Sequence, residues 1–291
     1  MVSTAASSTV NSLLKHGSLT LGGKTSEPFL EAQVLLAASL KRPRSYLLAH
    51  PEAHVDADSE TDYRERLAQR YQGQPIAYIL GHREFWSLKL TVSQATLIPR
   101  AETELLVETA LALLPKQSRR VLDLGTGSGA VALAIKSERA NARITAVDCD
   151  PAALTIAQSN GQRLGLVVEW LESDWFSKLA GRQFDVIVSN PPYVAAGDPH
   201  LSEGDAAFEP RHALQGGITG LDALHKIIAE AAAYLRPGGD LLLEHGYDQA
   251  PAVQDRLRQA GFEAVASYRD LLQHERITVA RAPKTKILEM S

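Results

Sequence analysis

The 291 residues are 45% hydrophobic and 22% charged with a formal net charge of −4, the profile of a globular protein long enough for one large core and a smaller domain. No concentrated basic stretch is present, which argues against binding bare nucleic acid, and no apolar run nears the ~18 residues of a membrane span. The single cysteine, Cys149, forbids an intrachain disulfide, and the first twenty residues lack the apolar core of a signal peptide, so a cytoplasmic location is expected.

Residues 1–75 hold eight basic and eight acidic side chains, and a helical domain is predicted there. In EPFLEAQVLLAASL the apolar positions Phe29, Leu30, Val34, Leu35, Ala37 and Ala38 recur at helical spacing. SETDYRERLAQRYQG reads as a helix with Ser59 as N-cap, ending at Gly73. The basic cluster Lys41–Arg44 reads as a solvated turn. Alternation of Trp86, Leu88, Leu90 and Val92 with polar positions predicts a β-hairpin linker over 76–98.

From 99 to 291 strands alternate with helices. Strands are predicted at 120–124, 143–148, 167–170, 184–189, 240–245, 263–268 and 276–281. Asp150-Pro151 opens a helix as N-cap and first-turn proline, and Leu224, Ile227, Ile228, Ala231 and Leu235 form one helical stripe. The expectation is an α/β fold, a seven-stranded, mainly parallel Rossmann-like sheet covered on both faces.

VLDLGTGSGAVALAI joins a strand to a helix through Gly125, Thr126, Gly127, Ser128 and Gly129. Such a loop brings backbone close to a ligand, and by itself it fits either a dinucleotide or a plain tight turn. The spacing is G-x-G-x-G and not the dinucleotide G-x-G-x-x-G, which favours S-adenosylmethionine. Asp123 is expected near the cofactor's amino-acid end, and Asp148, at the end of the second strand, near the ribose hydroxyls. Asp150 is the better capping candidate and leaves Asp148 available. Trp175 offers a flat face for adenine or, as the plainer reading, for the core. Cys149 is read as a packing residue.

The fourth strand runs into Asn190-Pro191-Pro192-Tyr193. Prolines end the strand and fix φ. The Asn190 side-chain carbonyl and the Pro191 backbone carbonyl then make two rigid acceptors, and two acceptors suit a planar NH₂ with two donors. Tyr193 covers its plane. An amide nitrogen is a poor nucleophile because its lone pair is delocalised. Two hydrogen bonds contribute roughly 1.5–3 kcal/mol each, and alignment with a reactive sulfonium about 7–11 kcal/mol. Carbonyl dipoles preset for developing positive charge add to this, without a metal or a strong base. The scattered histidines, His50 and His54 included, are read as surface residues.

The segments PIAYILGHREFWSLKLTVSQATLIPRAETELLVE (75–108), VLDLGTGSGAVALAI, SDWF, VSNPPYV, EPRHAL (209–214) and GGITGL (216–221) together resemble the HemK/PrmC family of peptide chain release factor N5-glutamine methyltransferases. The resemblance runs from about residue 27 to 281. It implies a class I methyltransferase fold and S-adenosylmethionine as cofactor, leaving as S-adenosylhomocysteine. The implied substrate is the glutamine of the Gly-Gly-Gln motif in class 1 release factors. By motif match Gly125–Gly129, Asp148, Trp175 and Asn190 contact the cofactor, and Asn190, Pro191, Pro192 and Tyr193 receive the glutamine. The amino-terminal domain helps hold the release factor. Two positions depart from the pattern: Ala101 replaces a proline, and Gln273 stands where a glycine is common, which leaves the turn around it open. Three other readings stay on the table: a glutamine methyltransferase of a ribosomal protein, a DNA adenine-N6 methyltransferase lacking the usual basic recognition region, and a non-catalytic cofactor-binding adaptor.

Overall fold

The structure, a computed structural model, describes residues 8–114 and 119–284. It divides into two compact units, Met1–Gly81 and His82–Ser291.

The first unit is helical: α1 (Val10–Leu21), α2 (Pro28–Ser39), α3 (Arg44–Ala49), α4 (Ala57–Tyr71) and α5 (Ile76–Leu80). Helix α1 was not legible from the Ser/Thr/Ala-rich first ten residues, of which 1–7 lie outside the described residues. Its start is a reciprocal cap between Thr9 and Ser12, a serine where the usual capping pattern has Glu or Gln. Helix α4 begins earlier than predicted. Asp56, not Ser59, is the N-cap, and its carboxylate accepts the Ser59 N–H at 2.9 Å; a carboxylate at this end also meets the positive pole of the helix. Leu13, Leu14, Leu35, Leu36, Tyr63 and Leu67 form the core. Arg70 on α4 grips Glu31 on α2 with both guanidinium edges, Nε to Oε2 at 2.8 Å and Nη2 to Oε1 at 2.9 Å. Lys41–Arg44 is an exposed turn, as read from the sequence.

The predicted hairpin over 76–98 is shorter, since 76–80 is helix α5, closed by Gly81 in the left-handed conformation. Strands β1 (His82–Phe85) and β2 (Leu88–Thr91) pair antiparallel, His82 opposite Thr91. After them come α6 (Glu104–Leu113), β3 (Arg120–Leu124), α7 (Ala130–Glu138), β4 (Arg143–Asp148), α8 (Pro151–Leu164), β5 (Glu169–Glu172) and β6 (Phe184–Ser189). The chain continues through α9 (Arg211–Leu214), α10 (Asp222–Tyr234), β7 (Leu235–Glu244), α11 (Ala250–Gln259), β8 (Glu263–Arg269) and β9 (Glu275–Arg281).

Seven strands lie in the order β5-β4-β3-β6-β7-β9-β8, with the first five parallel and β9 antiparallel to both its neighbours. This is the expected α/β sheet. Successive residues of a strand face opposite sides, so Val121 packs in the layer of α6 and α7, and Leu122 with Leu124 in the layer of α10 and α11. Three strands start away from their predicted positions, β9 by one residue at Glu275. β5 begins at Glu169 and not at 167, and Leu235 opens β7 instead of extending the helical stripe, because Leu235 pairs with Phe184 across a bulge. No helix among the described residues is long and apolar enough to cross a membrane.

Candidate active site

The order reverses between β3 and β6, which places a crevice beyond the carboxyl ends of these strands. The strand β3 leads directly into Gly125; Asp148 ends β4; Ser173–Trp175 follows β5; Asn190 follows β6. One edge of the sheet thus gathers residues that are up to sixty-five positions apart in sequence.

The glycine loop is pinned to β4. The N–H groups of Gly125 and Thr126 both donate to the Val147 carbonyl at 2.9 Å, and Gly127 N–H donates to Asp148 Oδ2 at 2.8 Å. Gly125, Gly127 and Gly129 have φ of +71°, +55° and +84°, which a side chain would strain. A Cβ on Gly127 would meet nothing within 4 Å, whereas one on Gly129 would stand 3.0 Å from the Trp170 ring. The loop is therefore open on the ligand side and packed behind. Thr126 and Ser128 are buried, Thr126 donating its hydroxyl to Asp123 at 2.7 Å.

Asp123 lines the cleft, but its carboxyl is 2% exposed and also accepts the Ala132 N–H at 3.2 Å. Burial pushes its pKa up to about 7, against the Thr126 hydroxyl and the Ala132 N–H. Asp148 accepts from Asp150 N–H at 3.0 Å as well as from Gly127, and burial raises its pKa too. Asp150 caps α8, accepting from Ala152 N–H at 2.8 Å, as the sequence suggested. Trp175 sits at φ +48°, with its ring edge 3.5 Å from where a Cβ on Gly125 would be. Cys149 is exposed between the two aspartates and is not the packing residue expected.

A narrow cleft runs from this loop to Asn190, walled by Leu97, Pro99, Arg100, Thr103 and Val131. A wider surface hollow of ≈660 Å³ beside Trp86, Glu104 and Glu138 contains none of the predicted site residues.

Asn190 donates its side-chain NH₂ to Thr103 Oγ1 at 3.1 Å. That bond orients the amide, and no described residue donates to its Oδ1 or to the Pro191 carbonyl. Both oxygens remain available as acceptors. Pro191 is buried and Pro192 and Tyr193 half-buried. The GGITGL loop lies against this segment: Gly216 N–H donates to the Val194 carbonyl at 2.9 Å, and a Cβ on Gly216 would be 2.4 Å from the Pro192 carbonyl. Gln249 fastens both from below, its Nε2 donating to Tyr193 O at 3.0 Å and Gly220 O at 3.3 Å. Glu209 of EPRHAL holds the wall opposite, accepting from Ile98 N–H at 2.8 Å and pairing with Arg100.

Sequence reasoning passed over Thr103, Glu209, Glu244 and Gln249 as individuals. Two of these, Thr103 and Glu209, lie within the quoted motifs, the only signal available. It also read the histidines as surface residues, yet His245 is fully buried, with Nε2 2.7 Å from Thr278 Oγ1 and burial lowering its pKa. His50 and His54 are exposed.

Two family models match the chain: a methyltransferase small domain over residues 100–209 and a PrmC N-terminal domain over residues 12–81. The release factor glutamine methyltransferase of Xylella fastidiosa is 50% identical over 256 residues, covering 87% of this chain and 93% of that protein. Its counterpart in Escherichia coli K12 is 48% identical over 255 residues, covering 87% and 92%. Among solved structures, a methyltransferase from Pyrococcus furiosus matches with a TM-score of 0.53 at 18% identity, over 75% of this chain and 98% of that one. A 16S rRNA N2 G1207 methyltransferase from T. thermophilus matches with a TM-score of 0.51 at 24% identity, over 69% and 49%. These two show a shared methyltransferase fold. With about half of the aligned residues identical across more than nine-tenths of the length of such relatives, the chain belongs to the release factor glutamine methyltransferase family.

Proposed function

We propose that the protein transfers a methyl group from S-adenosylmethionine to the side-chain amide nitrogen of the glutamine in the Gly-Gly-Gln motif of class 1 peptide chain release factors. The observation that carries this reading is Asn190 at the end of the cleft, its amide oriented by the Thr103 tether so that Oδ1 stays uncommitted, followed directly by Pro191, whose carbonyl accepts from no described residue.

When bound, the cofactor supplies an electrophilic methyl on sulfonium. The open glycine loop, Gly125 to Gly129, fits the cofactor's backbone-facing side, since a ligand there meets N–H groups and no Cβ. Asp148 accepts from the ribose hydroxyls, for which its two oxygens keep lone pairs beside the Gly127 and Asp150 bonds. Trp175 supplies the apolar wall for adenine. Asn190 and Pro191 accept the two N–H donors of the glutamine amide, and Tyr193 lies over its plane. As the nitrogen gains a bond to carbon, positive charge builds on it, and the preset carbonyl dipoles stabilise that charge. Held by Gly125 to Gly129 and Asp148, the cofactor would give up its methyl with the carbon–sulfur electron pair staying on sulfur, while Asn190 and Pro191 would hold the nitrogen until its extra proton passed to water.

The helical unit, whose family model is named for the N-terminal domain of these enzymes, is assigned to holding the release factor. A division into residues 1–75, 76–98 and 99–291 goes with that assignment. A cytoplasmic site of action follows from such a substrate, with neither nucleic acid nor membrane as a direct partner. The acceptor pair alone would also suit the amino group of adenine or a ribosomal protein's glutamine, and the names of the relatives favour the release factor. The test is incubation with release factor and cofactor followed by mass-spectrometric mapping. One methyl on the Gly-Gly-Gln glutamine, lost with Asn190→Ala, is expected. Methylation elsewhere, or undiminished in that variant, overturns the proposal.

A further inference from the structure

Tyr193, at one end of the Asn190–Tyr193 segment, meets a buried carboxyl that the chemistry above does not use. Glu244 ends β7, next to β6, and is 1% exposed. Tyr193 Oη stands 3.4 Å from its Oε1. The Thr103 hydroxyl, which receives the Asn190 amide at 3.1 Å, lies close enough to the same carboxyl to favour its charged form, as does Arg276. Its other oxygen, Oε2, is buried with no hydrogen-bond partner.

A buried acceptor without a partner destabilises a fold, and an apolar side chain at the end of a central strand would pack there at less cost. Sites that break the rules of core packing in this way are where function is expected. Here the carboxyl accepts from Tyr193 at one arm of the segment, and the hydroxyl that receives the Asn190 amide at the other arm lies near it.

We propose that Glu244 is a positioning residue for methyl transfer, holding Tyr193 directly and Asn190 through Thr103 so that the amide-binding segment is set before the substrate arrives. This rests on the glutamine-methylation reading above. Glu244 touches no reacting atom. It removes freedom from the two side chains that do.

The experiment compares Glu244→Ala and Glu244→Gln in the full-length enzyme with release factor as substrate. Glu244→Ala is expected to lower kcat about tenfold or more with KM for release factor changed by less than about threefold, since most of that protein is held elsewhere. Glu244→Gln keeps a carbonyl acceptor for the Tyr193 hydroxyl and is expected to recover kcat to within about threefold. Tyr193→Phe combined with Glu244→Ala is expected to add little to the loss, because both cut the same link. A crystal structure of Glu244→Ala should show the Tyr193 ring displaced, a readout independent of turnover. A folded Glu244→Ala enzyme with wild-type kcat, or a Gln variant as impaired as the Ala variant, overturns the inference. Should Glu244→Ala not fold, Thr103→Val and Tyr193→Phe cut the two links separately, and wild-type kcat in both overturns it equally. A wild-type enzyme that leaves release factor unmethylated removes the functional reading itself; a methylating wild type with an indifferent Glu244→Ala removes only this inference.

Discussion

Asp148 accepts the Gly127 N–H at 2.8 Å, so the carboxylate assigned to the ribose also sets the shape of the glycine loop. Replacing it withdraws two things together, an acceptor for the ligand and an anchor for the loop. Asp148→Ala is expected to weaken S-adenosylmethionine binding by about tenfold or more, in line with the loss of a hydrogen bond to a charged group. Isothermal titration calorimetry on the folded variant measures it. Affinity unchanged within twofold would show that Asp148 shapes the loop without touching the ligand.

Gly216 has no room for even a methyl group. A Cβ would stand 2.4 Å from the Pro192 carbonyl and 2.7 Å from the Gly220 carbonyl, and both contacts are with backbone. Gly216→Ala must therefore displace the amide-binding segment. Its kcat is expected to fall by at least about tenfold while cofactor affinity stays within about twofold, since the atoms that crowd Gly216 belong to Pro192 and Gly220 and not to the glycine loop. Steady-state kinetics and calorimetry on one preparation separate the two.

Two carboxyls give the fold an unusual response to pH. Burial raises Asp123 and Glu244 to about 7 each, from ordinary values of 3.8 and 4.5. The folded chain therefore keeps protons that the unfolded chain releases between roughly pH 4 and 7, and stability from these two groups falls as pH rises through that window. Asp123→Asn and Glu244→Gln hold the neutral state permanently. The Tm of each variant minus that of the wild type is expected to grow more positive from pH 5 to pH 8 in scans without cofactor. A difference that stays flat, or shrinks, would show the carboxyls ionised throughout.

The turn left open by Gln273 does form. Gln273 takes φ +66°, and the turn is held by Asp270, which accepts from the N–H groups of Leu272 and His274 at 2.9 Å each. A side chain in the left-handed region costs about 1–2 kcal/mol, which glycine escapes at some expense in unfolded-state entropy. Gln273→Gly is expected to stabilise the protein by up to about 1 kcal/mol in urea denaturation. A loss of stability would mean the Gln273 side chain holds the turn itself.

The Asp56 carboxylate is the cap of α4, and Asp56→Ala is expected to lower the stability of the helical unit by about 1 kcal/mol. Hydrogen exchange at the amide of Ser59, the donor to this cap, should quicken in step. Unchanged exchange at Ser59 would remove the cap from the account.

What the sequence made legible was local. Asp150-Pro151 marks the start of α8 by capping chemistry alone, and β3, β4 and β6 were read to the residue because each is a short apolar run ended by a turn. Boundaries failed where a long-range partner decided them. Leu235 belongs to a strand because Phe184 is opposite, and residues 76–80 coil before the hairpin although they read as part of it. In the site, Asn190–Tyr193 and the glycine loop declared themselves by composition. Thr103 and Glu244 did not, since one hydroxyl eighty-seven residues from Asn190 and one carboxyl at a strand end have meaning only once the sheet has brought them together.

The position of β9 between β7 and β8 bears on how the chain acquires its structure. Among the described residues strand β8 has no neighbour other than β9, and β7 has its second neighbour in β9, so residues 235–269 are made before the segment that completes their pairing. During synthesis two hydrogen-bonding edges stay open until residues 275–281 arrive, a late long-range step of the kind that slows folding and invites aggregation. Helpers that shield nascent chains should therefore matter most for this half of the sheet.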